Sequence, residues 1–213
     1  MTFDYKQHCG NKANFFTEDK LNFVVDYMEK LDSIDIPEGS CKGIDINHTE
    51  AYDWFVVHVL EPLREYTKRP DLRLIFGFLG NVTQSFRIHK DIKTIPEKEY
   101  NPNGKQFASF LIPVSVDNDP LRCNTNSTMV FDLKVLDEPA QEQPWHHLVE
   151  GTNPLVEKKA FGWIDHRRYT LLKNIQWNRG DLIWWNSLYW HCGLDNNAIG
   201  AQTKQMLVVH TYV

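Results

Sequence analysis

The sequence predicts a mainly β fold, a sandwich or barrel supported by two N-terminal helices, and three observations predict it. Apolar residues recur at helical spacing only in the first third of the chain. After Pro70 come short runs rich in β-branched and aromatic residues, parted by turn residues. The composition is that of a folded globular chain, with 213 residues, 42% hydrophobic and 24% charged. A chain of this length buries on the order of 70% of its unfolded surface, so its core needs no disulfide support.

The first helix is expected over about residues 18–31. Thr17 can cap it, and Glu18 and Asp19 face the positive end of its dipole. Leu21, Val24, Val25, Met28 and Leu31 then share one face. Pro37 and Gly39 mark a loop. A second helix is expected over about 50–66, capped by Thr49, with Tyr52, Phe55, Val56, Val59 and Leu63 as its apolar stripe. Pro62 should kink or split it, because an interior proline costs roughly 3 kcal/mol. Strands are expected over 72–79, 85–91, 107–116, 128–135, 169–176, 182–186 and 205–213. Residues 137–166, with Trp145, His146, His147 and Trp163, read as a long insertion, a length that usually means a lid or an unstructured segment. The whole is expected to be one domain over 1–213, with helical support over 17–66 and a β-core over 71–213.

Composition narrows the function. The formal net charge is −5, and no basic run exceeds pairs such as Arg167 and Arg168, which argues against a nucleic-acid face. The four cysteines, Cys9, Cys41, Cys123 and Cys192, lie far apart with no CxxC, so neither a disulfide framework nor a cysteine zinc site is expected. Residues 1–10 lack the apolar centre of a signal peptide, and no stretch reaches the roughly 18 apolar residues of a membrane span. A cytoplasmic protein without a membrane partner is the expectation; its oligomeric state is not legible.

Three landmarks carry chemistry. In Phe86-Arg87-Ile88-His89-Lys90-Asp91, strand alternation turns His89 and Asp91 to one face, with Arg87, and offers an imidazole and a carboxylate to one point. The second is Gly180-Asp181-Leu182-Ile183-Trp184-Trp185-Asn186, a turn feeding an apolar strand, with His191 just past its end. Two histidines and one carboxylate on a metal form a facial triad with open coordination positions. Three protein ligands also suit a catalytic zinc. The third is Lys204, at the start of the last strand, where a buried cation could bind a carboxylate. Each has a plainer reading: a hydrogen-bonded core histidine, a turn aspartate, a solvated turn lysine. The Trp184, Trp185, Tyr189 and Trp190 cluster reads as core, and Cys192 as a small buried hydrophobe.

Taken in order, these landmarks resemble the iron(II)/2-oxoglutarate-dependent oxygenase superfamily, prolyl-hydroxylase-like, whose pattern is His-x-Asp, a distal His and a basic residue opening a late strand. The resemblance runs from about 72 to 213. It implies a double-stranded β-helix, a form of jelly roll, with His89, Asp91 and His191 binding Fe(II) and Lys204 pairing with the distal carboxylate of 2-oxoglutarate. It also implies O2 as a reactant, succinate and CO2 as products, and hydroxylation of a prime substrate that the sequence does not identify. A small molecule or a peptide side chain fits this charge balance better than a nucleic acid. Two departures stand out: the family more often has Arg where Lys204 stands, and Met206 takes a position often held by a hydroxyl residue. Lys105 and Arg87 are further candidate cations. Nickel, zinc or copper can replace iron in a purified sample, since many such sites bind them more tightly. A cupin-like metalloenzyme without 2-oxoglutarate, a zinc hydrolase and a non-enzymatic jelly-roll binding module are the competing readings. The His-x-Asp pair and the late cation favour the first reading over them.

Overall fold

Thr17 opens the first helix through its hydroxyl, which accepts the Lys20 N–H at 3.3 Å. The computed structural model describes residues 8–36, 38–44, 49–84, 106–133, 169–187 and 189–213. Helix α1 runs Glu18–Met28 and buries Leu21, Val24 and Met28. It ends three residues earlier than its apolar stripe. Lys30 and Leu31 close it with N–H bonds to Tyr27 and Met28, the tighter i to i−3 pattern of a helix end. That turn still brings Leu31 against the core.

The second helical stretch is divided, as Pro62 demands. Helix α2 spans Thr49–Phe55, so Thr49 is its first residue, and α3 spans Glu61–Thr67 with Pro62 in its first turn. Between them Val56–Leu60 winds as one π turn, in which the Glu61 N–H reaches back to the Val56 carbonyl. Pro62 has no N–H to give, and its ring would press on the carbonyl four residues earlier. The wider turn absorbs both defects while Phe55, Val59, Leu60 and Leu63 stay fully buried.

Among the described residues ten strands form two antiparallel sheets. They are β1 (Cys9–Lys12), β2 (Ile34–Ile36), β3 (Gly39–Ile44), β4 (Arg73–Val82), β5 (Gln106–Val116), β6 (Ser127–Leu133), β7 (Tyr169–Gln176), β8 (Leu182–Asn186), β9 (Trp190–Gly193) and β10 (Lys204–Tyr212). The large sheet has the order β1-β8-β5-β10-β4-β3-β2, and the small sheet β7-β6-β9. Three of these strands precede Pro70, where only helices and a loop were expected. Strands β2 and β3 pair antiparallel with Ile36 opposite Gly39, and β3 pairs with β4 from Gly39↔Val82 to Ile44↔Gly77. The polar β1 lies along the edge of β8, Cys9 opposite Trp185 and Lys12 opposite Leu182.

Strand alternation divides the core into layers. Phe110, Ile112 and Val114 of β5, Leu207 and Val209 of β10, and Leu182 and Trp184 of β8 face the helices. Their neighbours Leu111, Met206, Val208, Ile183 and Trp185 face the space between the sheets, opposite Val130, Ile175 and Trp177. Trp184 and Trp185 therefore serve different layers, both as core. Met129, Phe131, Cys192 and Leu194 form a third cluster on the other side of the small sheet. Among the described residues no helix is long and apolar enough to cross a membrane.

Candidate functional site

His191 does not hang in a loop past β8. It sits in a strand of its own, β9, opposite Val130 of β6, and is 5% exposed. Four residues that read as a loop become a strand because β6 supplies the pairing. Alternation sends His191 to the inter-sheet side, where its ring centroid lies 4.3 Å from that of Trp185. Its Nδ1 is 3.3 Å from the Tyr189 carbonyl. A carbonyl only accepts, so Nδ1 is the donor in this contact, and in the neutral ring Nε2 is then the nitrogen with a lone pair. Metal-binding histidines are held in this way, with the second ring nitrogen donating to a carbonyl or carboxylate. Cys192, one residue on, turns to the opposite side into the third cluster, and burial pushes its thiol far up from the ordinary cysteine value. It cannot share a ligand with His191 without reversing the strand.

Two residues on, Gly193 returns to the side of His191. A Cβ there would lie 3.9 Å from the Lys204 Nζ and 3.9 Å from the Ser127 carbonyl, so this position of β9 borders the ammonium. One i to i+2 step along a strand is roughly 7 Å. His191 and the Lys204 ammonium therefore address one interior from two points along β9.

Lys204 is 2% exposed, opposite Val82 and Val116 on the two strands that flank it. Its ammonium donates to the Leu194 carbonyl. Burial pulls its pKa down to about 7, against weaker upward pulls from Asp195 and Cys192. A solvated turn lysine would show none of this. The same face of β10 continues through Met206 and Val208 to His210, whose Nδ1 lies 2.9 Å from the Ser109 hydroxyl. Met206 occupies its position as packing between the sheets.

His89, Asp91, Arg87 and Lys105 lie outside the described residues, as do the expected strand over 85–91 and the 137–166 insertion with Trp145 and Trp163. Of the six candidate residues, the structure thus describes His191 and Lys204, and it turns both into the inter-sheet space. Among the described residues no three His, Cys, Asp or Glu side chains gather closely enough to hold a metal. Sequence reasoning missed Gly193, and it missed Asn126, which is 1% exposed at the start of β6. Counting by twos from His191 finds the first; no local signal marks the second.

No protein-family model matches the chain, and no curated protein does. Solved structures do. An oxidoreductase of the 2OG-Fe(II) oxygenase family from Burkholderia pseudomallei aligns over 96% of this chain and 84% of its own, with a TM-score of 0.54 and 10% identity. The fold is that of the 2OG-Fe(II) oxygenases. HygX from Streptomyces hygroscopicus, solved with nickel, 2-oxoglutarate and hygromycin B, aligns over 96% and 82% with a TM-score of 0.55 and 14% identity. A Pseudomonas putida prolyl-4-hydroxylase aligns over 96% and 91%, with a TM-score of 0.52 and 12% identity. At these identities the likeness is one of fold, the jelly roll expected from the sequence.

Proposed function

We propose that this chain is an Fe(II)- and 2-oxoglutarate-dependent oxygenase of one domain that hydroxylates a small molecule or a peptide side chain. The observation that carries the reading is the placement of His191 and Lys204 on one interior, with Gly193 beside the ammonium. In this reading His191 binds the metal through Nε2, and His89 and Asp91 complete the ligand set. The residues in view fit such a group: a buried imidazole whose Nδ1 faces the Tyr189 carbonyl, and a buried ammonium beside a strand position that carries no side chain. The metal, when bound, supplies the oxidative chemistry that turns 2-oxoglutarate and O2 into succinate, CO2 and a hydroxylated product.

The chain's own residues bind, orient and exclude water. Lys204 takes the terminal carboxylate, because its ammonium lies in the closed interior. An ion pair gains strength there from the low dielectric. A 2-oxo acid held by Lys204 would lie in the interior that His191 also faces. Trp185 packs on the imidazole and limits its rotation, and Tyr189 holds its tautomer. Val130, Ile183, Met206 and Val208 keep the space between the sheets apolar, which shields a reactive centre from water.

His191→Ala tests this. It should abolish 2-oxoglutarate-dependent succinate formation while the circular dichroism spectrum and cooperative melting persist. Retention of more than a few per cent of the turnover by a folded variant would exclude His191 from the metal site.

A further inference from the structure

Asn126 stands just before β6 in an extended conformation, φ −112° and ψ 162°. The alternation of β6 therefore extends back to it, placing Asn126 on the side of Thr128 and Val130. That side faces the inter-sheet space: Val130 belongs to its core, and the Thr128 hydroxyl accepts from Trp177 Nε1 at 2.9 Å. The backbone of Asn126 is fully used, its N–H given to the Cys123 carbonyl and its own carbonyl accepting from Trp177. The side chain is not. Among the described residues neither Nδ2 nor Oδ1 finds a hydrogen-bond partner, although the residue is 1% exposed. Leaving such an amide unmade costs about 1–3 kcal/mol.

Its neighbours point to what would satisfy it. Ser127, the next residue, accepts from the Leu194 N–H, and Lys204 donates to the Leu194 carbonyl. The Ser127 carbonyl and the Lys204 ammonium also both lie 3.9 Å from the position a Gly193 Cβ would take. Asn126 and Lys204 thus border one end of the interior from opposite sheets. A carboxylate has acceptor sites for more than one donor, and a neutral amide gives it N–H groups without adding charge. We propose that Asn126 is, with Lys204, the receiving group for the terminal carboxylate of the 2-oxo acid. This rests on the reading of the site given above.

The test uses the full chain loaded with Mn(II), a redox-inert stand-in, and calorimetric titration with two acids. 2-Oxoglutarate carries the terminal carboxylate; 2-oxobutyrate has the same 2-oxo acid end without it. Asn126→Leu should weaken 2-oxoglutarate about tenfold, the size of one hydrogen bond. It should leave Mn(II) and 2-oxobutyrate affinities within about twofold of the unsubstituted protein. It should also raise the melting temperature of the ligand-free protein, because it removes an unpaired buried amide. A structural asparagine would instead lower that temperature and weaken both acids alike, and this result would overturn the proposal. Asn126→Asp, nearly the same in shape, should lose 2-oxoglutarate by more than about a hundredfold through repulsion and keep 2-oxobutyrate. It serves should the leucine variant not fold. Unchanged 2-oxoglutarate binding in both variants overturns the role of Asn126 alone. An unsubstituted protein that binds Mn(II) but not 2-oxoglutarate overturns the reading of the site along with it.

Discussion

Lys204 shows what one buried charge does to this protein. Unfolding returns its pKa from about 7 to the ordinary lysine value of 10.5. The folded chain therefore holds this proton less tightly than the unfolded chain. The cost of the buried ammonium is fully present below about pH 7 and fades as the pH climbs toward 10.5. Lys204→Met should make the ligand-free protein more stable at pH 6 by roughly 1–3 kcal/mol. That advantage should close between pH 7 and pH 10, as read by denaturant titrations at each pH. An advantage constant with pH would mean that Lys204 is neutral or solvated throughout. The same variant should lose 2-oxoglutarate binding, since the charge kept at that cost is the one the ligand uses. That a cation opens the last strand is legible in the sequence. Its burial is not, because a lysine following Gly200-Ala201-Gln202-Thr203 has the local pattern of a solvated turn. Only the partners of β10, Val82 and Val116, bring it inside. His191 was legible as a candidate and misplaced as a loop residue, since a four-residue strand carries no periodicity of its own.

At the level of elements, long apolar strands could be read directly. Strands β7 and β8 fall at the bounds their composition predicts, and β5 and β10 begin within one residue of them. Strands β1, β2 and β3 could not, because Cys9-Gly10-Asn11-Lys12 and its like are strands only by virtue of the edge they cover. The helical layer was legible from its stripes, and the break at Pro62 from its chemistry, but not the π turn ahead of it. That layer is fitted to the sheet at Gly77 of β4. A Cβ there would come within 2.5 Å of Phe55 Cζ at the end of α2. Phe55 is fully buried and has little room to retreat. Gly77→Ala should cost about 1–3 kcal/mol by overpacking, seen as a lower urea midpoint with an unchanged slope. A neutral result would show that α2 slides freely on the sheet. His191 and Lys204 lie on the far side of that sheet, so 2-oxoglutarate affinity should hold in the folded variant.

At the scale of the whole molecule, the jelly roll brings together parts of the chain that sequence order separates. Lys204 opens β10 of the seven-stranded sheet, His191 lies in β9 of the small sheet, and Asn126 stands just before β6; all three face the space between the layers. The fold class was legible because turn-punctuated strands following two amphipathic helices admit few architectures. The inner face was only partly legible, since which residues share it depends on register between distant strands. The central claim is that this interior holds a metal and a 2-oxo acid together. The most direct test is anaerobic addition of Fe(II) and then 2-oxoglutarate, followed by visible absorption. Chelation of the metal by the 2-oxo acid gives a weak metal-to-ligand charge-transfer band. The band should appear in the unsubstituted protein, vanish in His191→Ala and in Asp91→Ala, and require far more 2-oxoglutarate in Lys204→Met. Stoichiometric metal binding without a band, or a band that survives loss of His191, would contradict the claim.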